Sequence, residues 1–177
     1  MKNCLLSLLL LVAMAVPCHA ATPHIKIGDL ILHRPSPAIE AKEELREYLP
    51  EGESFERWTR LASVRVFKDL KDPVSYLKNV AAAVTKSHPL ARYQVLQEEK
   101  TKAVILDFTT FPPASAPEQF AEWNLMRAQF VKGKGLVVYQ YAMRIYDVGS
   151  GASEKLKAER AKMVGPFSIA TFEEEKA

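Results

Sequence analysis

Three histidines beyond residue 20, His24, His33 and His88, are the side chains best suited to proton transfer or metal ligation near neutral pH. A nucleophilic site of the Ser-His-acid type would have to recruit one of them, and no Gly-x-Ser-x-Gly elbow occurs to present the serine. Metal binding asks for ligands at fixed spacing, and neither His-x-x-x-His, His-Glu-x-x-His nor a calcium-loop pattern is present. His24 and His33 could form an incidental surface pair. His88 precedes Pro89 at the end of a helical pattern, where an imidazole can bond terminal carbonyls.

Asp107 is the most informative carboxylate, because its strand neighbours are apolar on either side and a buried acid has a raised pKa unless it is paired. Arg127 and Arg144 lie on candidate adjacent strands, so a structural ion pair with one of them explains Asp107 more simply than a catalytic acid does. Glu51 and Glu53 flank Gly52 and could hold a cation, but the same residues write a polar turn. Gly133-Lys134-Gly135 superficially suggests a phosphate loop. It lacks the Walker spacing and sits between two strand patterns, which makes it a hairpin turn. The residues therefore assign no catalytic, cofactor or metal role. Trp58, Trp123, Tyr139 and Tyr141 are the candidate partner-binding residues, since amphipathic aromatics serve both interiors and contact surfaces. They form a docking stripe if helices cover one sheet face, and core if both faces are covered.

The elements that must position these groups follow from patterning. Residues 21–43 read as an irregular segment, punctuated by Pro23, Pro35 and Pro37, with edge strands at most around Ile25/Ile27 and Leu30 to Leu32. Leu45 to Leu49 and Thr59 to Phe67 read as paired strands around the turn Pro50-Glu51-Gly52-Glu53, with Ala62, Val64 and Val66 on one face. Asp72 and Pro73 then open a helix whose Leu77, Val80, Ala81 and Val84 repeat at helical spacing until Ser87-His88-Pro89. Tyr93 to Gln97 and Lys102 to Phe111 predict two strands, the second apolar on both sides and so central in its sheet. The stretch after Pro112-Pro113 reads as a loop long enough to move.

Trp123 to Val131 and Leu136 to Tyr146 flank the glycine turn as a hairpin. Ser153 can cap a final helix with Leu156, Met163 and Val164 inside, ended by Gly165-Pro166, and Phe167, Ile169 and Phe172 then predict a short strand or docked extension before an acidic tail at 173–177. The fold class is α+β: one domain over residues 44–172, an antiparallel sheet packed by two helices as an αβα or two-layer sandwich.

Residues 1–20 carry the layout of a secretory signal peptide: Lys2, an apolar run from Leu5 to Val16, and a break at Pro17 before cleavage after Ala20. The run is too short for a spanning helix, so no transmembrane anchor is expected after cleavage. Cys18 raises a rival reading, a lipid anchor, although Pro17 fits a lipidation signal poorly. Cleavage would remove both cysteines, leaving a disulfide-free periplasmic or secreted protein that relies on its core. The 177 residues are 48% hydrophobic and 25% charged, and the net charge of +3 is too small to indicate a nucleic-acid partner.

The order of elements from Tyr48 to Phe172, with Pro50-Glu51-Gly52-Glu53-Ser54 leading to Trp58-Thr59, the helix after Asp72-Pro73, the hairpins and a closing amphipathic helix, resembles small exported bacterial proteins of unassigned role. More distantly it is similar to the Mog1/PsbP/DcrB-like group. That resemblance implies an αβα sandwich and a binding or accessory role rather than a shared catalytic centre. The resulting expectation is a non-catalytic envelope domain that binds a partner protein or small ligand through a sheet face or the loops at 50–58 and 112–121. A carboxylate-dependent hydrolase using Asp107 or Glu122 is the alternative.

Overall fold

A computed structural model describes residues 23–33, 37–40, 43–97, 103–149 and 151–173. The leader with Cys4 and Cys18, and the tail beyond Glu173, lie outside the described residues. In chain order the elements are β1 (His24–Ile27), β2 (Leu30–His33), β3 (Pro37–Glu40), β4 (Glu43–Tyr48), β5 (Arg60–Phe67), α1 (Pro73–Ser87), β6 (Arg92–Gln97), β7 (Val104–Thr110), β8 (Ala121–Val131), β9 (Gly135–Ile145) and α2 (Ala152–Ile169). The fold is α+β and mostly antiparallel sheet. A seven-stranded sheet runs in the order β3-β4-β5-β9-β8-β7-β6, and β1 with β2 forms a separate two-stranded ribbon.

The N-terminal segment departs from its irregular reading. β1 pairs with β2 across a two-residue turn, and Ile25, Ile27 and Leu32 are 0–1% exposed. The period-2 pattern of four-residue strands is easily lost among prolines, yet these three side chains join the core formed by Met163 and Phe167 of α2. Gly28 at the turn has φ +61°, and a Cβ there would meet Pro166 at 3.3 Å, so the ribbon sits close against α2.

Two helices take opposite faces of the large sheet. α1 begins as the sequence predicts: the Asp72 carboxylate accepts from the backbone N–H of Val74 at 2.9 Å and Ser75 at 3.1 Å, and Pro73 fills the first helical position. Its Leu77 and Ala81 pack on Val104, Leu106, Phe108, Met126, Leu136 and Val138. α2 lies on the other face over Trp123, Leu125 and Tyr141.

α2 differs from its sequence reading at both ends. Gly151 is the N-cap, without a side-chain bond, and Ser153 lies inside the first turn. The helix continues through Pro166 to Ile169. A proline in that position forfeits one backbone bond and crowds the preceding turn. Full burial of Phe167 and the bond from Ala170 N–H to Pro166 C=O at 3.1 Å nevertheless hold the last turn together. Val164, expected inside, is 37% exposed, whereas Glu159 is buried.

β7 is interior, between β6 and β8, but next to the edge rather than central, and β9 occupies the middle. The β8–β9 hairpin closes with Val131 opposite Gly135. Gly135 has φ +100°, and a Cβ there would meet the Phe67 carbonyl at 2.3 Å, so the end of β5 lies directly against this turn.

Candidate functional site

Coverage of both faces decides the fate of the aromatic stripe. Trp123 and Tyr141 are 1% and 0% exposed and stack edge to face with centroids 5.8 Å apart beneath α2. Trp58 is buried with Leu49, Leu61 and Ala142. Of the four nominated contact residues, Tyr139 alone is half-buried, packed edge to face on Phe172 at 5.2 Å. The stripe is core over most of its length.

Asp107 is buried and paired, but with neither Arg127 nor Arg144. Its Oδ1 accepts from Trp123 Nε1 at 2.8 Å and from an Arg160 nitrogen at 2.7 Å, and its Oδ2 accepts from Gln94 Nε2 at 3.3 Å. The partner arginine comes from α2, which strand-order reasoning does not reach. Arg127 instead donates to the carbonyls of Ser168, in the last turn of α2, and of Ala170, its C-cap, where helix carbonyls lack partners. Burial holds the Arg127 guanidinium below the usual arginine range. Arg144 pairs with Glu122 at 2.7 Å, so the second candidate acid is also engaged.

A second buried polar set joins α2 to the sheet. Glu159 accepts from the Tyr141 hydroxyl and from Arg60 Nε at 3.1 Å. Burial pushes the Glu159 carboxyl up, but these bonds outweigh it and leave it below the usual carboxylate range. Tyr141 is pushed well above the ordinary phenol value, first by burial and then by its bond to Glu159.

The two nominated loops are clasped to one another. Arg144 stacks between Trp58 at 4.1 Å and Phe120 at 4.5 Å, Arg57 lies 4.3 Å over Tyr146 and pairs with Glu118, and the Tyr146 hydroxyl donates to the Trp58 carbonyl at 2.8 Å. Gln119 Nε2 further bonds the carbonyls of Pro113 and Ala116, each at 3.2 Å. Glu53 spends both carboxylate oxygens on Thr59, at 2.6 Å to its N–H and 2.5 Å from its hydroxyl, in keeping with a turn. His24 and His33 face each other across the β1–β2 ribbon with ring centroids 5.8 Å apart. Among the described residues no group of three metal-ligating side chains gathers.

A concavity among the described residues lies elsewhere, on the α2 face at the β8–β9 turn end. It is a half-open groove of about 970 Å³, at the upper end of the size of ligand sites. Val64 and Val66 of β5, Val131 of β8 and Val137 of β9 line it, and Tyr139 and Phe172 lie where the chain leaves α2. Lys68, Lys71 and Lys134 gather at the turn end, with Arg46, Glu44 and Glu173 among the other lining groups. Arg46 Nε reaches Glu44 only at 3.7 Å, too far for a hydrogen bond, and has no hydrogen-bond partner among the described residues. Phe172 adopts φ +51°, a sparsely populated conformation for an aromatic residue, while 3% exposed against Tyr139 and Phe167.

None of the basic lining residues was nominated from the sequence. Lys68 and Lys71 follow one strand and Lys134 sits in a hairpin turn, and only the β5–β9 pairing, with Phe67 opposite Leu136, brings them together. Two basic clusters at strand ends were the available signal, but it needed the strand order to be read.

Residues 42–171 match the model of an uncharacterised protein family. The chain belongs to that family. The family region takes in the whole large sheet from β4 onward and both helices, and leaves the β1–β2 ribbon outside it. No curated protein and no solved structure matches the chain, so the likeness to the Mog1/PsbP/DcrB-like group gains no support from these comparisons. No helix among the described residues is long and apolar enough to cross a membrane.

Proposed function

We propose that this family member is a single-domain, non-catalytic binding module of the bacterial envelope, exported by its leader, with the groove beside β5 and β9 as its ligand site. The observation that supports the reading is the division of labour among its polar groups. Asp107 and Glu122, the acids that a hydrolase reading would use, are each held by an arginine, as is the buried Glu159. The groove beside β5 and β9 is instead lined by valines and aromatic rings together with Lys68, Lys71, Lys134, Arg46, Glu44 and Glu173, a mixture that suits binding.

The test uses a neutral apolar fluorophore, 1-aminoanthracene, with the full chain. Saturable one-to-one binding that is lost in Gln129→Trp supports the reading, because Gln129 lines the groove and is half-buried, so the larger ring fills space without entering the core. Circular dichroism melting checks that the variant folds. No saturable binding, or binding that survives the substitution, refutes the groove as the site.

A further inference from the structure

We infer that the groove's occupant is a free single-chain amphipathic anion, an alkyl carboxylate or alkyl phosphate; this rests on the groove being the ligand site. The groove is chemically asymmetric along its length. One end carries Lys68, Lys71 and Lys134, and the other is closed by the rings of Tyr139 and Phe172 with Arg46 and Glu173 beside them, and Val66 and Val137 lie between. A ligand that matches the lysine end and the valine strip beyond it carries a charged head on a hydrocarbon chain.

Sign follows from the pairing of the lining charges. The lining holds four basic groups, Arg46, Lys68, Lys71 and Lys134, against two acids, Glu44 and Glu173; Glu44 faces Arg46 at 3.7 Å, and among the described residues no carboxylate pairs with any of the three lysines. Three ammonium groups around one opening attract an anion and repel a cation. Lysine acts as a point charge with rotatable donors, so the site accepts a carboxylate or a phosphate head without demanding planar geometry. A neutral alcohol would fill the strip and leave the lysines uncompensated.

The experiment displaces 1-aminoanthracene from the full chain with dodecanoate, dodecyl phosphate, dodecanol, dodecyltrimethylammonium and butanoate, each as monomer. One or both dodecyl anions should displace at about tenfold lower concentration than the alcohol or the cation. Butanoate, with the charge but no tail, should displace nothing. Preference for dodecanoate assigns a carboxylate head and preference for dodecyl phosphate a phosphate head; either supports the inference. The charge-reversed variant Lys68→Glu/Lys71→Glu/Lys134→Glu should favour the cation while its affinity for dodecanol and its melting temperature stay unchanged. If the fluorophore binds but all four dodecyl compounds displace it equally, the inference fails and the binding-module reading stands. If the fluorophore does not bind, that reading has failed first. Sedimentation with phosphatidylglycerol vesicles without displacement by monomeric anions would overturn the inference in favour of a membrane surface.

Discussion

The two faces of the large sheet are covered by helices held in different ways. On the α1 face Leu77 and Ala81 meet Val104, Leu106, Phe108, Met126, Leu136 and Val138, an apolar contact, while the buried Asn124 on the same face bonds Gln140 and Glu122 within the sheet. On the α2 face Asp107, Arg127 and Glu159 are buried among Trp123, Tyr141 and Phe167. Apolar burial is non-directional and sets where a helix lies, whereas charged hydrogen bonds set its rotation and its end. α2 shows this along its length: Glu159 meets Arg60, Arg160 meets Asp107, and Arg127 takes the carbonyls of Ser168 and Ala170. The same extension of α2 then supplies Thr171, Phe172 and Glu173 to the groove, so the polar fastening and the proposed binding site share a boundary.

The harshest way to break the α1 side is Leu106→Asp. Leu106 is 0% exposed inside the cluster of Leu77, Val104, Phe108 and Val138, and Arg144, the arginine of β9 on this face, is already held by Glu122. An unpaired buried charge costs about 4 kcal/mol or more, comparable with the whole stability of a small domain. Loss of the cooperative thermal transition is expected, and a retained sharp melt would refute the placement of Leu106 in this core.

On the α2 side the corresponding change is Glu159→Ala, which strands the Tyr141 hydroxyl at a site 0% exposed and leaves Arg60 without its partner. A cost of about 2–3 kcal/mol in urea unfolding is expected, with part of the Arg60 contribution recovered by its solvent exposure. Because the folded state holds the Glu159 carboxyl below its unfolded range, its stabilisation is complete above the ordinary carboxylate pKa of about 4.3 and is lost as pH falls through the lower folded value. The stability gap between wild type and Glu159→Gln should therefore shrink below about pH 4. A gap that is constant from neutral to acidic pH would contradict the assignment.

This contrast also explains what could be read from the residues beforehand. α1 and the β8–β9 hairpin carry local signals, a capping aspartate before a proline and two glycines in a turn, and both appear where those signals place them. α2 was legible as a helix but not in its limits, because its buried positions Ala152, Glu159, Met163 and Phe167 include a glutamate that makes sense only beside Tyr141 and Arg60. Ile25, Ile27 and Leu32 were legible as short strand patches but not as core, because four-residue strands do not show what they pack against. The partner of Asp107 was out of reach for a different reason. Arg160 lies 53 positions away and on a helix, so no strand register points to it.

A smaller effect is expected from Arg127→Met, which keeps the aliphatic volume and removes both bonds to the end of α2. Its guanidinium is stacked 4.6 Å from the Tyr139 ring, so some packing is lost as well. Destabilisation of about 1–2 kcal/mol is expected. Hydrogen exchange locates the effect: the Ala170 amide, bonded to Pro166 and Phe167, should lose protection while the amides of α1 keep theirs. Equal loss in both helices would mean that Arg127 stabilises the sheet as a whole rather than the end of α2.

The smallest effect belongs to His88→Ala, and it isolates what a polar group contributes on the hydrocarbon side. The imidazole Nδ1 lies 3.2 Å from the Phe111 carbonyl, but the cap of α1 is closed by the backbone, with the His88 N–H donating to Val84 C=O at 2.8 Å. Removing the ring leaves that bond in place and exposes the Phe111 carbonyl, itself on an exposed residue, to water. The urea midpoint should move by the equivalent of about 0.5 kcal/mol or less, with an unchanged slope. A loss above about 1 kcal/mol would show that α1 also depends on a directional contact, and the distinction between the two faces would then lie in the number of polar fastenings rather than in their presence.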